Sequence, residues 1–382
     1  MKVFGRATVN EFLNDRIVYR NLAPQDGRLP PLDEIRGELG LPPRQIPRKS
    51  EPDYGRLIVH FLKLARSFEA PGTAIRRLIF IGDTHLLDAT AFDNICNLGG
   101  WPGLAFIGAE TAQPLKIEVV PSAGGQTVFL SNRWSALGGE GEKSFTRFCS
   151  EQGFPIDEAT ALVVDLDKTA IGARGRNAEV IDQARVQAVY DTVSKLLGAT
   201  FDQKTFRSAY DQLNQFEFHP FTADNQDYLA YICLILGGGL YDLEGLVESV
   251  RRKNMQTFRQ FIDVVESRKT ELPSSLAGIH AEIYANVLID DPTPFKPFRR
   301  NEYLNTVGRM GCLDDATPVE QLLRGEIVIT QEVRLLALDW QKRGALLFCL
   351  SDKPDEASIP TPELAAQGHA PIHRTLTHVV GE

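Results

Sequence analysis

Two aspartates two residues apart, Asp165 and Asp167, close the short apolar run Leu162-Val163-Val164. Ala161 to Val164 are all small or branched, which suits a strand buried on both faces of a parallel sheet. In open α/β sheets ligands bind beyond the carboxyl ends of the strands, so this pair stands where such an architecture does its chemistry. A carboxylate placed there can attack as a nucleophile, carry a proton, or hold a hard cation through its oxygens. The plainer alternative is an Asp-rich strand-to-helix turn whose side chains only cap a helix.

The flanking sequence supplies elements able to position the pair. A helix is expected over 53–68, then the apolar run Leu78 to Gly82, a helix over 89–98 and a strand over 103–107. Runs over 116–120 and 126–130 flank Pro-Ser-Ala-Gly-Gly as a hairpin, and a helix over 141–151 leads into the Asp165 strand. Alternation of this kind is the signature of a parallel sheet covered by helices, a Rossmann-like α/β core. From 172 to 315 the period changes. Apolar residues such as Val180, Ala184, Val189 and Val193 follow helical spacing, and the pattern recurs over 205–213, 226–236, 243–265 and 276–288. This block reads as an all-helical insert, the domain 172–315, between core segments 1–171 and 316–382. Alternation resumes with a helix over 332–343 and the strand Ala345 to Leu350, ending at Ser351-Asp352-Lys353-Pro354. Residues 1–47 are rich in Pro, Arg and Gly with weak periodicity and read as a partly irregular extension.

At 382 residues the chain exceeds one ordinary core, so two domains are the default. Neither a stretch of 18 uninterrupted apolar residues nor a charged-then-apolar leader is present, which argues against a membrane partner and a signal peptide and favours a cytoplasmic protein. A net charge of −9 opposes a non-specific nucleic-acid role, since phosphate-backbone binding needs clustered Lys and Arg. The five cysteines are odd in number and scattered, as buried reduced thiols would be.

Taken together, the motifs resemble those of the haloacid dehalogenase (HAD) superfamily of phosphohydrolases. Asp165-Leu166-Asp167-Lys168-Thr169 resembles its first motif, Asp-x-Asp-x-Thr after an apolar strand, and Leu346 to Ser351 resembles the second, an apolar strand ending in Ser or Thr. Between these the family often inserts a helical cap, where this chain has its helical block. Lys49, a helix, and then Leu78-Ile79-Phe80-Ile81-Gly82-Asp83 with Asp88 resemble the third and fourth motifs. The order is therefore third, fourth, first, second. Joining Glu382 to Met1 would restore the usual order, which reads as a circular permutation with the new ends after an edge strand at Val379-Val380. That reading expects the Asp83 strand beside the Asp165 strand, the Ser351 strand on its other side, and all three parallel.

The resemblance implies a Mg²⁺-dependent phosphatase acting on a small phosphorylated metabolite. It makes Asp165 the nucleophile that forms an aspartyl-phosphate and Asp167 the acid/base group. Ser351 would hydrogen-bond a phosphoryl oxygen, and Lys49 would neutralise charge on the nucleophile and the phosphate. Asp165, the backbone carbonyl of Asp167 and Asp83 would hold the Mg²⁺, with Asp88 ligating directly or through water. Thr169, Arg174 and Arg176 are the candidate substrate contacts. Read alone, Asp83 is also a turn acid, Asp88 a helix N-cap, Lys49 a solvated charge, and the two arginines solvated loop charges. A catalytically weak HAD-like protein whose helical domain binds a partner or ligand is the alternative class.

Other motifs lead nowhere comparable. Gly82-Asp83-Thr84-His85 lacks the further His and Asn ligands of a two-metal phosphoesterase. His369, His373 and His378 lie across a loop and a strand and read as solvated. Gly237 to Gly239 has neither a preceding strand nor a following Lys-Ser/Thr, so it is a loop.

Overall fold

The computed structural model describes residues 1–43, 45–138 and 143–382, which divide into two compact units: Met1–Gln183 with Thr306–Glu382, and Ala184–Asn305. The start of the helix expected over 141–151 lies outside the described residues, and the helix itself spans Phe145–Glu151.

In the first unit the strands are β1 (Lys2–Ala7), β2 (Ile17–Val18), β3 (Arg77–Gly82), β4 (Gly103–Gly108), β5 (Ile117–Pro121), β6 (Thr127–Ser131), β7 (Thr160–Asp165), β8 (Ile329–Thr330), β9 (Leu346–Leu350) and β10 (Thr377–Gly381). Seven of them form one sheet in the order β2-β9-β7-β3-β4-β6-β5, parallel except for β5, which closes a hairpin with β6. The strands ending at Asp83, Asp165 and Ser351 are thus β3, β7 and β9, adjacent and parallel, with Ile79 opposite Leu162 and Leu162 opposite Leu347.

Burial explains the centre of this sheet. Every residue of β7 is buried, as continuous apolar strands are when elements cover both faces. Alternation sends Phe80, Ala105, Val163 and Phe348 to one face, where they meet Leu57 and Phe61 of the helix Pro52–Glu69 and Phe92 of the helix His85–Gly99. On the other face Phe106 meets Trp134 and Phe145. Each fully buried Phe here contributes roughly 1.5–3 kcal/mol. That apolar mass fixes the strand register, and the register fixes which carboxylates share an edge.

Residues 1–47 are not an irregular extension. Ile17 and Val18 are fully buried and extend the main sheet beside β9, while β1 pairs antiparallel with β10. Nor is β10 an edge strand: it is the middle strand of a second sheet, β1-β10-β8. Two of the histidines expected in solvent are buried. His373 bonds Tyr19 and Asp15, and His378 bonds Glu326 and Asp315.

The second unit is helical, and narrower than the span 172–315 expected for the insert. Its core gathers Val189, Phe206, Leu229, Ile235, Phe261 and Ile283 from successive helices. At its centre the fully buried Asp227 accepts from the Phe295 N–H and from Arg299, so this charge is paired and hydrogen-bonded. Among the described residues, no helix is long and apolar enough to cross a membrane.

Candidate active site

The carboxyl ends of β3, β7 and β9 bring Asp83, Asp165 and Ser351 to one edge, because these strands run parallel with Ile81 opposite Val164 and Asp165 opposite Leu350. After β7 the chain turns through Lys168, whose φ of +62° is a left-handed conformation that costs a non-glycine residue about 1–2 kcal/mol. Bonds from Ala170 N to the Asp165 carbonyl and from Ile171 N to the Leu166 carbonyl hold the turn. Its consequence is the position of Asp167, whose carboxylate accepts from the Ser351 hydroxyl at 2.9 Å. The Lys168 side chain leaves the edge and pairs with Asp182 at 2.9 Å.

Lys49 lies three residues before the helix Pro52–Glu69, whose buried face anchors it. Its ammonium is 2.6 Å from Asp165 Oδ1 and 2.6 Å from Asp88 Oδ1. Asp88 sits in the first turn of the helix His85–Gly99, and its second oxygen accepts from the Asp83 and Thr84 N–H groups at 2.9 Å each. Asp88 is thus an N-terminal anchor for that helix and a clamp for Lys49 at once. Gly82 makes the approach possible, since a Cβ there would lie 2.4 Å from Asp88 Oδ2. Asp83 pairs with the Arg174 guanidinium through Oδ2, and its Oδ1 accepts from the Thr84 hydroxyl at 3.1 Å.

Lys49, Asp88 and Asp165 are 4%, 2% and 6% exposed, so their charges interact with little screening. Burial drives the Asp165 carboxyl well above the usual range; Lys49 opposes that shift, while the charges of Asp88 and Asp83 reinforce it. Asp83 is raised by burial and by Asp88. Burial lowers the Lys49 ammonium, but Asp165 and Asp88 outweigh it and hold the group protonated. One ligand oxygen from each of Asp83, Asp88 and Asp165 lies within 4.8 Å of the others. Three anions meet two contacting cations, Lys49 and Arg174, and an all-oxygen donor set with residual negative charge suits a hard divalent cation. An open cleft of about 260 Å³ adjoins the cluster, with Asp83, His85, Ile107, Ala109 and Leu130 among its lining.

Most residues singled out in the sequence therefore meet: Lys49, Asp83, Asp88 and Asp165 in one cluster, Asp167 with Ser351 beside it, and Arg174 on Asp83. Thr169 is fully buried; its carbonyl accepts from Thr330, and its hydroxyl has no partner. Arg176 goes elsewhere. Its terminal nitrogens bond Glu332 and Glu110, and its side chain is 2% exposed, so two carboxylates already match its charge. Tyr54 was not anticipated: its phenol is buried without a partner, within the field of Lys49 and Asp165. An aromatic on the first turn of an apolar helix reads as core, and no sequence signal marks its hydroxyl.

Compared with models of protein families, with curated proteins and with solved structures, the chain matches none.

Proposed function

We propose that this protein is a Mg²⁺-dependent phosphohydrolase of the HAD type, cleaving a small phosphorylated metabolite through an aspartyl-phosphate on Asp165. The observation that carries the reading is the Lys49 ammonium shared between Asp165 and Asp88, at the carboxyl ends of adjacent parallel strands and beside the Asp167–Ser351 pair. A phosphate ester resists an anionic nucleophile because its oxygens repel it, so attack needs neutralisation and alignment first. Lys49 supplies a fixed positive charge against the nucleophile, and the Ser351 hydroxyl is a donor suited to a phosphoryl oxygen.

One carboxylate oxygen of Asp165 attacks phosphorus, the ester P–O bond breaks, and the leaving oxygen takes a proton from Asp167. Asp167, now ionised, takes a proton from a water whose oxygen attacks the same phosphorus, releasing phosphate and regenerating Asp165. Asp83, Asp165 and the Asp167 carbonyl would hold a Mg²⁺, which when bound supplies charge neutralisation for the phosphoryl oxygens. Asp88, whose oxygens accept from the buried Lys49 and from two backbone N–H groups, would ligate directly or through water.

The strand order β9-β7-β3 supports the permuted reading. By its place in the chain, after the Asp165 strand and before the Ser351 strand, the helical unit is the part we assign to substrate choice. The apolar Ile107 and Leu130 in the cleft beside Asp83 favour an ester whose alcohol carries a compact apolar group. The test is a screen of phosphate esters with and without Mg²⁺, using Asp165→Asn as the control. Mg²⁺-dependent release of phosphate that Asn abolishes, with an unchanged circular dichroism spectrum, is the expected result. Undiminished turnover in the folded variant removes the assignment.

A further inference from the structure

Resting on that reading, we infer that Arg174 is a placeholder cation: its guanidinium and the divalent metal compete for Asp83, and metal binding frees Arg174 to meet the anionic substrate. Both Asp83 oxygens are already engaged, Oδ2 by Arg174 Nε and Oδ1 by the Thr84 hydroxyl, and that hydroxyl also accepts from Arg174 Nη2 at 3.2 Å. Asp83, Thr84 and Arg174 thus form a closed ring of hydrogen bonds. A cation reaching Asp83 therefore meets a carboxylate already paired with the guanidinium. Two unit positive charges about 4 Å apart repel by about 4 kcal/mol at an effective dielectric of about 20, so the guanidinium and a metal are poor co-tenants of one carboxylate.

The chain around Arg174 shows which part can move. Arg174 N donates to the Lys168 carbonyl at 2.7 Å, and its own carbonyl accepts from Glu110 N at 2.8 Å and from Trp134 Nε1 at 3.2 Å. Gly175 follows with φ +75°, where a Cβ would lie 2.0 Å from the Glu110 carbonyl oxygen, so no other residue permits this close approach. The backbone is pinned. The side chain is 43% exposed, whereas that of Asp83 is 7% exposed, so Arg174 can swing out and Asp83 cannot. Only two of the five guanidinium donors are used on Asp83 and Thr84, which leaves the fork free to take phosphoryl oxygens once released. Lys49 plays a different part: it holds Asp165 and Asp88, makes no bond to Asp83, and is buried.

The experiment measures Mn²⁺ affinity by electron paramagnetic resonance on chelator-stripped full-length protein, without phosphate. Arg174→Gln is expected to tighten Mn²⁺ binding about 10-fold, the factor for a pair closed about nine-tenths of the time. Lys168→Gln is the control for net charge, because it removes an equal charge from the same turn but one that pairs with Asp182. It should change the affinity less than threefold, on the order of what one solvent-screened charge contributes. In the wild-type protein the Arg174 Nε–H resonance should shift on Mg²⁺ titration, with the dissociation constant measured for Mg²⁺ by calorimetry. Equal Mn²⁺ affinity in wild type and Arg174→Gln, equal tightening by Lys168→Gln, or an Nε–H signal unmoved at Mg²⁺ saturation would each overturn the competition while leaving the phosphohydrolase reading standing. Failure of the wild type and of Arg174→Gln to bind Mn²⁺ at all would overturn the metal site, and the competition with it.

Discussion

Replacing Lys49 with Met removes one ammonium and leaves two buried carboxylates facing each other. Each 2.6 Å contact of Lys49, to Asp165 and to Asp88, is worth about 6 kcal/mol of attraction at an effective dielectric of about 20. Against that stands a desolvation cost on the order of several kcal/mol for each buried ion, so the intact trio contributes little net stability. Removing one partner is not symmetrical with that balance, because the remaining carboxylates keep their desolvation cost and lose their compensation. The expected loss for Lys49→Met is therefore about 3–5 kcal/mol, the range for breaking a buried ion pair from one side. Urea unfolding followed by tryptophan fluorescence reads this directly, since Trp101, Trp134 and Trp340 all lie in the first unit. Mg²⁺-dependent hydrolysis should fall at least 100-fold in the same protein, about 2.7 kcal/mol of lost transition-state stabilisation. Lys49→Arg should not rescue either property, because a planar guanidinium does not fit a point charge's place that is 4% exposed. A stability loss below about 1 kcal/mol, the range of an exposed pair, together with unchanged hydrolysis, would refute the reasoning.

Gly82→Ala would put a methyl 2.4 Å from the Asp88 carboxylate, displacing it from the Asp83 and Thr84 N–H groups; hydrolysis should drop more than about 10-fold with a stability loss of about 1–3 kcal/mol, measured by steady-state kinetics and urea unfolding. Thr169→Val removes a buried hydroxyl that has no partner, so stability should hold or rise by about 1 kcal/mol in thermal melts, while KM for a phosphate ester rises if that hydroxyl serves the substrate. His373 gives the pH dependence: burial holds its imidazole at about 4 against an ordinary value of 6.5, with Tyr19 and Asp15 bonded to its two ring nitrogens. The unfolded chain then takes up this proton first on acidification, so stability present above pH 6.5 is lost as the pH falls towards 4, by up to about 3 kcal/mol. His373→Gln should flatten that part of the stability–pH curve in urea titrations, and an unchanged slope would count against a buried neutral imidazole.

The parts of this fold that the sequence carries are those where one local signal suffices. The β7 run Ala161 to Val164 is continuous and branched, and its two aspartates follow at once, so strand, edge and chemistry can be read together. In contrast, β2 is two residues long; Ile17 and Val18 are a strand only because Cys349 and Leu350 of β9 lie beside them. Nothing in a Pro-rich stretch announces a partner more than 300 positions away. Arg174 and Arg176 look alike in the sequence, two residues apart in one loop. Their fates diverge because Glu110 and Glu332 converge on Arg176, while Asp83 reaches Arg174. His378 reads as solvated in the sequence because a strand pattern does not reveal that Glu326 waits on a neighbouring segment. Tertiary electrostatics decided each of these cases, and pairwise spacing does not encode it.

The most direct test of the account is chemical trapping of the intermediate. Asp167→Asn protein is incubated with Mg²⁺ and p-nitrophenyl phosphate, whose leaving group needs no protonation, then quenched with borohydride and analysed by peptide mass spectrometry. An aspartyl-phosphate at Asp165 is reduced to homoserine at that position, and the account predicts this conversion at Asp165 alone, absent without Mg²⁺ and absent in Asp165→Asn. Borohydride-reducible phosphate at Asp83 or Asp88, or release of p-nitrophenol with Asp165 left unmodified, would contradict it.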